Sequence, residues 1–262
     1  MRDIFSDRDP ATPKDPMRVA QPSRESQLPK RFYESVSIRQ DASVFQVLLD
    51  GKPIRTPRKT ILSVENETVA NTMADEWSAQ KERIDPMTMP VTRLINTAID
   101  GVALDMQAVK EDIIRYSGTD MLCYRVSEPQ GLVTLQIEYW DPLLDWAQSA
   151  LGAQFELAEG IIHIEQSPEA IASFSAHVGM IDNPIVLAAT HVVMALTGSA
   201  IIAMAALKDH ITLDDAWRIA HLDEDWNIEQ WGTDEEAQER RAKRFTDMKA
   251  AYETIRAYDT LK

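Results

Sequence analysis

The 262 residues carry 27 Lys and Arg against 42 Asp and Glu, a formal charge of −15, with 44 % hydrophobic and 26 % charged residues as in ordinary soluble globular proteins. Such a field disfavours phosphate backbones and anionic headgroups, which argues against nucleic acid as a partner and against membrane insertion. The single cysteine, Cys123, excludes an internal disulfide and a cysteine zinc site, and reads as a small buried hydrophobe in a reducing compartment.

Length favours two domains. Residues 1–29 hold Asp3, Asp7, Asp9 and Asp15 among five prolines, without the apolar stretch of a secretory signal or the acid-poor character of a transit peptide. They read as a flexible tail, and the address as bacterial cytoplasm. An alternating apolar pattern then runs from Phe32 through Leu49, and Asp50-Gly51 predicts a type I′ hairpin turn. Ile54–Thr56 returns antiparallel and Thr60–Val64 is a further strand, so residues 31–64 form a small antiparallel sheet.

After Asn66, a good N-cap, the period changes to about 3.6 and a helix is predicted to run to about Arg83. Val91, Leu94, Ile95, Ala98 and Ile99 mark a second helix, and Val109, Ile113 and Ile114 a third. Gly131–Leu151 is a fourth, kinked or split by Pro142. A short β excursion is predicted within Phe155–Glu165. Ser167-Pro168 and Asn183-Pro184 are helix starts. The apolar stretch Ile185–Leu207 is interrupted midway and reads as two packed core helices, and Thr212 with Asp215 opens another helix. That helix bears two stripes, one through Leu213, Trp217 and Ala220, the other through Leu222, Trp226 and Glu229. A last helix follows Gly232. The fold class is α+β: residues 30–85 as a β-rich N-terminal domain, residues 86–262 as a mainly helical C-terminal domain.

Standard catalytic signatures do not emerge. The nine glycines form no phosphate-binding loop, the five histidines no ligand pair, and no serine sits in a nucleophile elbow. No catalytic, cofactor-binding or metal-binding residue is assigned. Asp141 with Asp145, or Glu224 with Glu229, leave a carboxylate-based hydrolase as an alternative.

From Asp214 to Glu239, ten carboxylates face one fixed cation, Arg218, with Trp217, Trp226 and Trp231 among them. Such a run is either the solvated face of a helix or a docking surface, since aromatics dominate interface hot spots and excess charge steers partners. On the docking reading, Glu224, Trp226, Glu229, Trp231, Glu235 and Glu236 contact the partner.

Four segments point to a family. They are Lys30-Arg31-Phe32-Tyr33 with Leu49-Asp50-Gly51-Lys52-Pro53-Ile54-Arg55-Thr56-Pro57; Glu76-Trp77-Ser78-Ala79-Gln80 followed by Met89-Pro90-Val91-Thr92-Arg93 through Asp100; Asp120-Met121-Leu122-Cys123-Tyr124-Arg125; and Gln136 through Trp140-Asp141-Pro142-Leu143 to Trp146. In that order they resemble the ATP synthase F(1) assembly chaperones called ATP-twelve or assembly factor 2, over about Lys30 to Glu236. The resemblance implies a non-enzymatic, ATP-independent, monomeric chaperone without cofactor that holds the unassembled F(1) alpha subunit and keeps it from aggregating until it pairs with beta. It places an important acid within Glu224–Glu236 and centres one motif on Trp77, with Pro90, Thr92 and Asp100. Trp77 also reads as a core anchor joining sheet and helices, with Arg93 and Arg125 pairing with acids across that junction. A generic acidic binding module with another client shares all these physical features.

Overall fold

The computed structural model describes residues 28–160 and 163–259; the predicted tail over 1–29 lies almost wholly outside them. Strand β1 (Val36–Asp41) pairs antiparallel with β2 (Val44–Leu49), from Val36 opposite Leu49 to Asp41 opposite Val44. The tight turn between them, Ala42-Ser43, holds Ala42 at φ 53° and went unpredicted, because neither residue announces a positive φ. The next turn follows its sequence signal, with Asp50 and Gly51 at φ 47° and 76°. It leads into β3 (Lys52–Pro53) on β2, and β4 (Ser63–Val64) pairs with Gln46 and Phe45 of the same strand. The predicted returning strand at 54–56 shrinks to single bonds, Ile54 N–H to the Val47 carbonyl and Leu62 N–H to the Ile54 carbonyl, both 3.0 Å.

Helix α1 (Glu67–Ser78) starts where Asn66 Oδ1 accepts the Val69 N–H at 3.1 Å. It stops before the predicted Arg83 because the next residues have other partners. Ile84 N–H donates to the Pro29 carbonyl, Arg31 N–H donates to the Glu82 carbonyl, and the buried Gln80 amide holds the Asp85 N–H at 2.8 Å. Helices α2 (Pro90–Asp100) and α3 (Met106–Ser117) follow. Helix α4 (Gln130–Leu151) runs unbroken through Pro142. Pro142 is exposed, so the carbonyl it leaves unpaired faces water, and the expected split does not occur.

The predicted β excursion is the short β6 (Ala158–Glu159), parallel to β5 (Tyr124–Arg125). Then come α5 (Pro168–Gly179), α6 (Pro184–Thr197), α7 (Ala200–Leu207), α8 (Leu213–Ala220), α9 (Leu222–Trp231) and α10 (Glu235–Asp259). Gly198, at φ 72°, separates α6 from α7, as the sequence predicted for Ile185–Leu207. Every residue from Ala200 to Ala206 is fully buried, so α7 is a central helix, apolar on all sides. Helix α10 packs along α6 and reaches back to α1 and α2. One contiguous apolar core extends from Tyr33 in the sheet region to Tyr258 in α10. Among the described residues no helix is long and apolar enough to cross a membrane.

Candidate docking surface

The helix predicted to open at Thr212 folds as two, α8 and α9, ahead of the predicted last helix. Thr212 caps α8 by accepting the Asp215 N–H at 3.1 Å. The helix stops at His221, whose ring lies against Trp217 at a tilt of 35° with centroids 3.9 Å apart, while Nδ1 lies 2.8 Å from the Trp217 carbonyl oxygen. Burial pushes the His221 pKa down, which keeps the imidazole neutral in this apolar corner. The break re-aims the second half: of the predicted stripes Leu213, Trp217, Ala220 and Trp226 are half-buried, Leu222 is buried and Glu229 exposed, while Ala216 and Ile219 form the buried face of α8. Trp140, fully buried on α4, donates its Nε1–H to the Ile219 carbonyl at 3.1 Å.

Three contacts then fix α9. Asp223 accepts from Gln136 Nε2 at 3.0 Å, and Asp225 forms an ion pair with Arg241 of α10. The tip of the Trp226 indole meets Gly131, where an added Cβ would sit 2.4 Å from Cη2, so any larger residue there would push the ring aside. Trp226 therefore anchors the helix on α4 and does not project. Gly232, at φ 82° and ψ −179°, turns the chain into α10 through backbone space that glycine alone adopts freely.

Five of the six predicted contact residues point outward. Glu224, Glu229 and Glu235 are exposed, Glu236 is exposed and bridged to Arg240 at 2.5 Å, and Trp231 is 87 % exposed. Beside them, between α9 and α10, runs a groove of about 420 Å³ lined by Trp217, Glu224, Ile228, Ala237, Arg241 and Phe245. Its floor is aromatic, with Phe245 edge-on to Trp217 at 5.2 Å, and its rim is acidic. An apolar slot beside an exposed indole and unpaired carboxylates suits an amphipathic, basic segment of another protein.

Trp77, Pro90 and Thr92 lie elsewhere, where α1 meets the start of α2, and Asp100 lies at the other end of α2. Pro90 occupies the first position of α2, and Glu76 caps that helix: its carboxylate accepts the Val91 N–H at 2.7 Å and the Thr92 N–H at 2.8 Å. Trp77 lies edge-on to Tyr33 at 5.7 Å, and its carbonyl accepts the Tyr33 hydroxyl at 2.7 Å. At the far end of α2, Asp100 accepts from Thr56 Oγ1 at 2.7 Å and from Arg58 N–H at 2.9 Å. Sequence reading singled out Trp77 but missed the role of Glu76, because a carboxylate capping a helix fifteen residues away leaves no local pattern. Arg93 reaches Asp247 of α10 at 2.5 Å. Arg125 pairs at 2.7 Å with Asp141 inside the helical region, away from the junction where the sequence reading placed it.

A family model described as ATP12 chaperone protein matches residues 30–148. The Atu1473 protein, a putative chaperone from Agrobacterium tumefaciens, is 50 % identical over 92 % of this chain and 93 % of its own, with a TM-score of 0.84. Atp12 from Paracoccus denitrificans is 38 % identical over 87 % of this chain and 98 % of its own, with a TM-score of 0.80. The chain belongs to the ATP12 chaperone family. A more distant relative, Protein atp12, mitochondrial, of Schizosaccharomyces pombe, is 24 % identical over 222 residues, 80 % of this chain and 76 % of that protein. The family serves ATP synthase assembly, and the matched stretch spans the sheet, the Glu76–Asp100 junction and most of α4.

The remaining titratable groups fit a scaffold. Asp120, fully buried, accepts from Ser199 Oγ at 2.9 Å and from the N–H groups of Ile201 at 3.0 Å and Leu122 at 3.1 Å. Burial raises its pKa to about 6. Burial also raises that of Glu76. Both carboxylates are engaged with helix or turn N–H groups. Of the pairs considered for acid–base work, Asp141 is bound to Arg125 while Glu224 and Glu229 are exposed. Among the described residues no three His, Cys, Asp or Glu side chains converge as a metal site.

Proposed function

We propose that this ATP12-family chaperone binds the unassembled alpha subunit of the F(1) sector, without ATP, and keeps it from aggregating until it pairs with beta. The docking surface on this reading is α9 and the start of α10: Trp231, Glu224, Glu229, Glu235 and Glu236 touch the client, and Trp226 holds the helix that presents them. One observation carries the reading. Trp231, the most exposed large hydrophobic side chain among the described residues, ends the helix whose Glu224 and Ile228 line the aromatic groove, and exposed Glu229, Asp234, Glu235 and Glu236 flank it along the chain. An unassembled subunit exposes apolar faces that aggregate when uncovered, and a holder with replaceable charged contacts can cover and release them.

The test is aggregation of purified alpha subunit followed by light scattering, without nucleotide, with beta subunit in parallel. Suppression for alpha and not for beta is expected. Changing Glu224, Glu229 and Glu236 together to Gln should abolish it while the fold persists. Unchanged protection by the folded triple variant would remove this surface from the mechanism.

A further inference from the structure

A second groove lies at the opposite pole of charge. Residues 28–64 hold seven Lys or Arg against three Asp or Glu, a net +4 in a chain of −15. Lys52, Arg55, Arg58 and Lys59 are all exposed, and none has an ion-pair partner among the described residues. Beneath Lys52 and Arg55 is a groove of about 410 Å³ walled by Tyr33, Leu49, Pro53, Ile54 and Trp77. Phe32 stands at its edge, 73 % exposed and edge-on to Tyr33 at 5.4 Å. Asp50, the one acid on the rim, is engaged: its carboxylate accepts the Glu34 and Ser35 N–H groups at 3.0 and 2.8 Å and the Ser35 hydroxyl at 3.0 Å. Asp50 keeps its charge but is held by these bonds, and Lys52 with Arg55 leaves the rim net positive.

We infer that this sheet-side groove is a second docking site, for an acidic protein segment that carries an apolar side chain. The apolar side chain packs against Phe32, Tyr33 and Trp77, and flanking carboxylates meet Lys52 and Arg55. Lys52 and Arg55 line an apolar slot, and the overall charge opposes long polyanions, so a protein segment fits better than nucleic acid. Nothing in this inference depends on the identity of the client at α9 and α10.

The probe is a fluorescein-labelled peptide with a central Phe-Leu pair flanked on each side by four glutamates, read by anisotropy against the full chain. Its counterparts carry lysines as flanks, or Ser-Ser at the centre. The glutamate peptide should bind, and adding salt from 50 to 300 mM should weaken it at least fivefold. The Lys52→Glu/Arg55→Glu double variant and Phe32→Ser should each lose at least tenfold; all three residues are exposed, and their melting temperatures serve as folding controls. Binding of the lysine peptide should not respond to these changes. No binding of the glutamate peptide, equal binding of the Ser-Ser version, or indifference to the variants each overturns the inference. So does self-association in sedimentation velocity that the double variant abolishes, since the occupant would then be a second copy.

Discussion

Glu76→Ala is the sharpest test of why the Trp77 motif is built as it is. The substitution leaves the Val91 and Thr92 N–H groups without a partner at the start of α2, where Met89, the N-cap residue, offers no side-chain bond. A hydrogen bond to a charged group contributes about 1.5–3 kcal/mol, so the pair contributes about 3–6 kcal/mol in gross terms. Removing a largely buried carboxylate returns part of that, because its desolvation cost disappears, and a net loss of about 2–3 kcal/mol remains. For a chain of this size the melting temperature should fall by about 5–10 °C. Glu76→Gln keeps one neutral acceptor and should lose roughly half as much. Urea unfolding followed by tryptophan fluorescence would read both as midpoint shifts at constant slope. A Glu76→Ala protein within about 0.5 kcal/mol of wild type, or a Gln variant weaker than the Ala variant, refutes the capping argument.

Other positions separate stability from docking. Trp231→Ala should leave stability within about 0.5 kcal/mol of wild type, as an exposed side chain away from any packed feature does; on the proposed function it nonetheless reduces protection of the alpha subunit in the scattering assay. Trp77→Ala removes the ring packed on Tyr33 and should cost about 2–3 kcal/mol in chemical denaturation, less than a fully buried Trp because the site is half-buried. Asp120 titrates near pH 6 in the folded chain, against 3.8 for a freely solvated aspartate. A raised carboxyl pKa means its contribution is full below 3.8 and lost as pH rises through 6, so wild type should gain about 2 kcal/mol on Asp120→Asn between pH 7 and pH 4.5. A difference that does not change with pH would contradict that. Cys123 is buried, and burial pushes its thiol up to about 12. It should react with a thiol reagent only as fast as the chain opens, with full reaction in denaturant.

Signals confined to a few residues were legible. Asp50-Gly51 fixed one hairpin, Asn66 started α1, and Ser167-Pro168 and Asn183-Pro184 started α5 and α6 at the residues the structure shows. What escaped depends on partners distant in sequence. Helix α1 ends early because residues 82–84 bond to Pro29 and Arg31, and no local propensity announces that. Helix α4 survives Pro142 because that position happens to face water. The two stripes of the acid segment were visible, but the sequence could not say that the helix would break at His221, whose ring lies against Trp217. Trp226 read as a contact residue, and the structure shows it half-buried with the tip of its ring against Gly131, which no local pattern announces. Composition located the docking candidate; only packing sorted its tryptophans into one that anchors and one that projects.

The distribution of charge bears on how a holder could release its client. With +4 on residues 28–64, the rest of the chain carries −19, and the stretch from Asp214 to Glu239 alone holds ten of its carboxylates. Separated fields of opposite sign orient an approaching partner before contact and accelerate capture, yet exposed charge pairs contribute little to holding it, about 0–1 kcal/mol each. The apolar contribution is also limited, since one projecting indole beside a groove of about 420 Å³ is far less than the buried face of a permanent subunit interface. Fast, oriented capture combined with modest retention is the balance an assembly chaperone needs. On the proposed function, a competing subunit that offers a larger apolar face would displace it without any nucleotide-driven step.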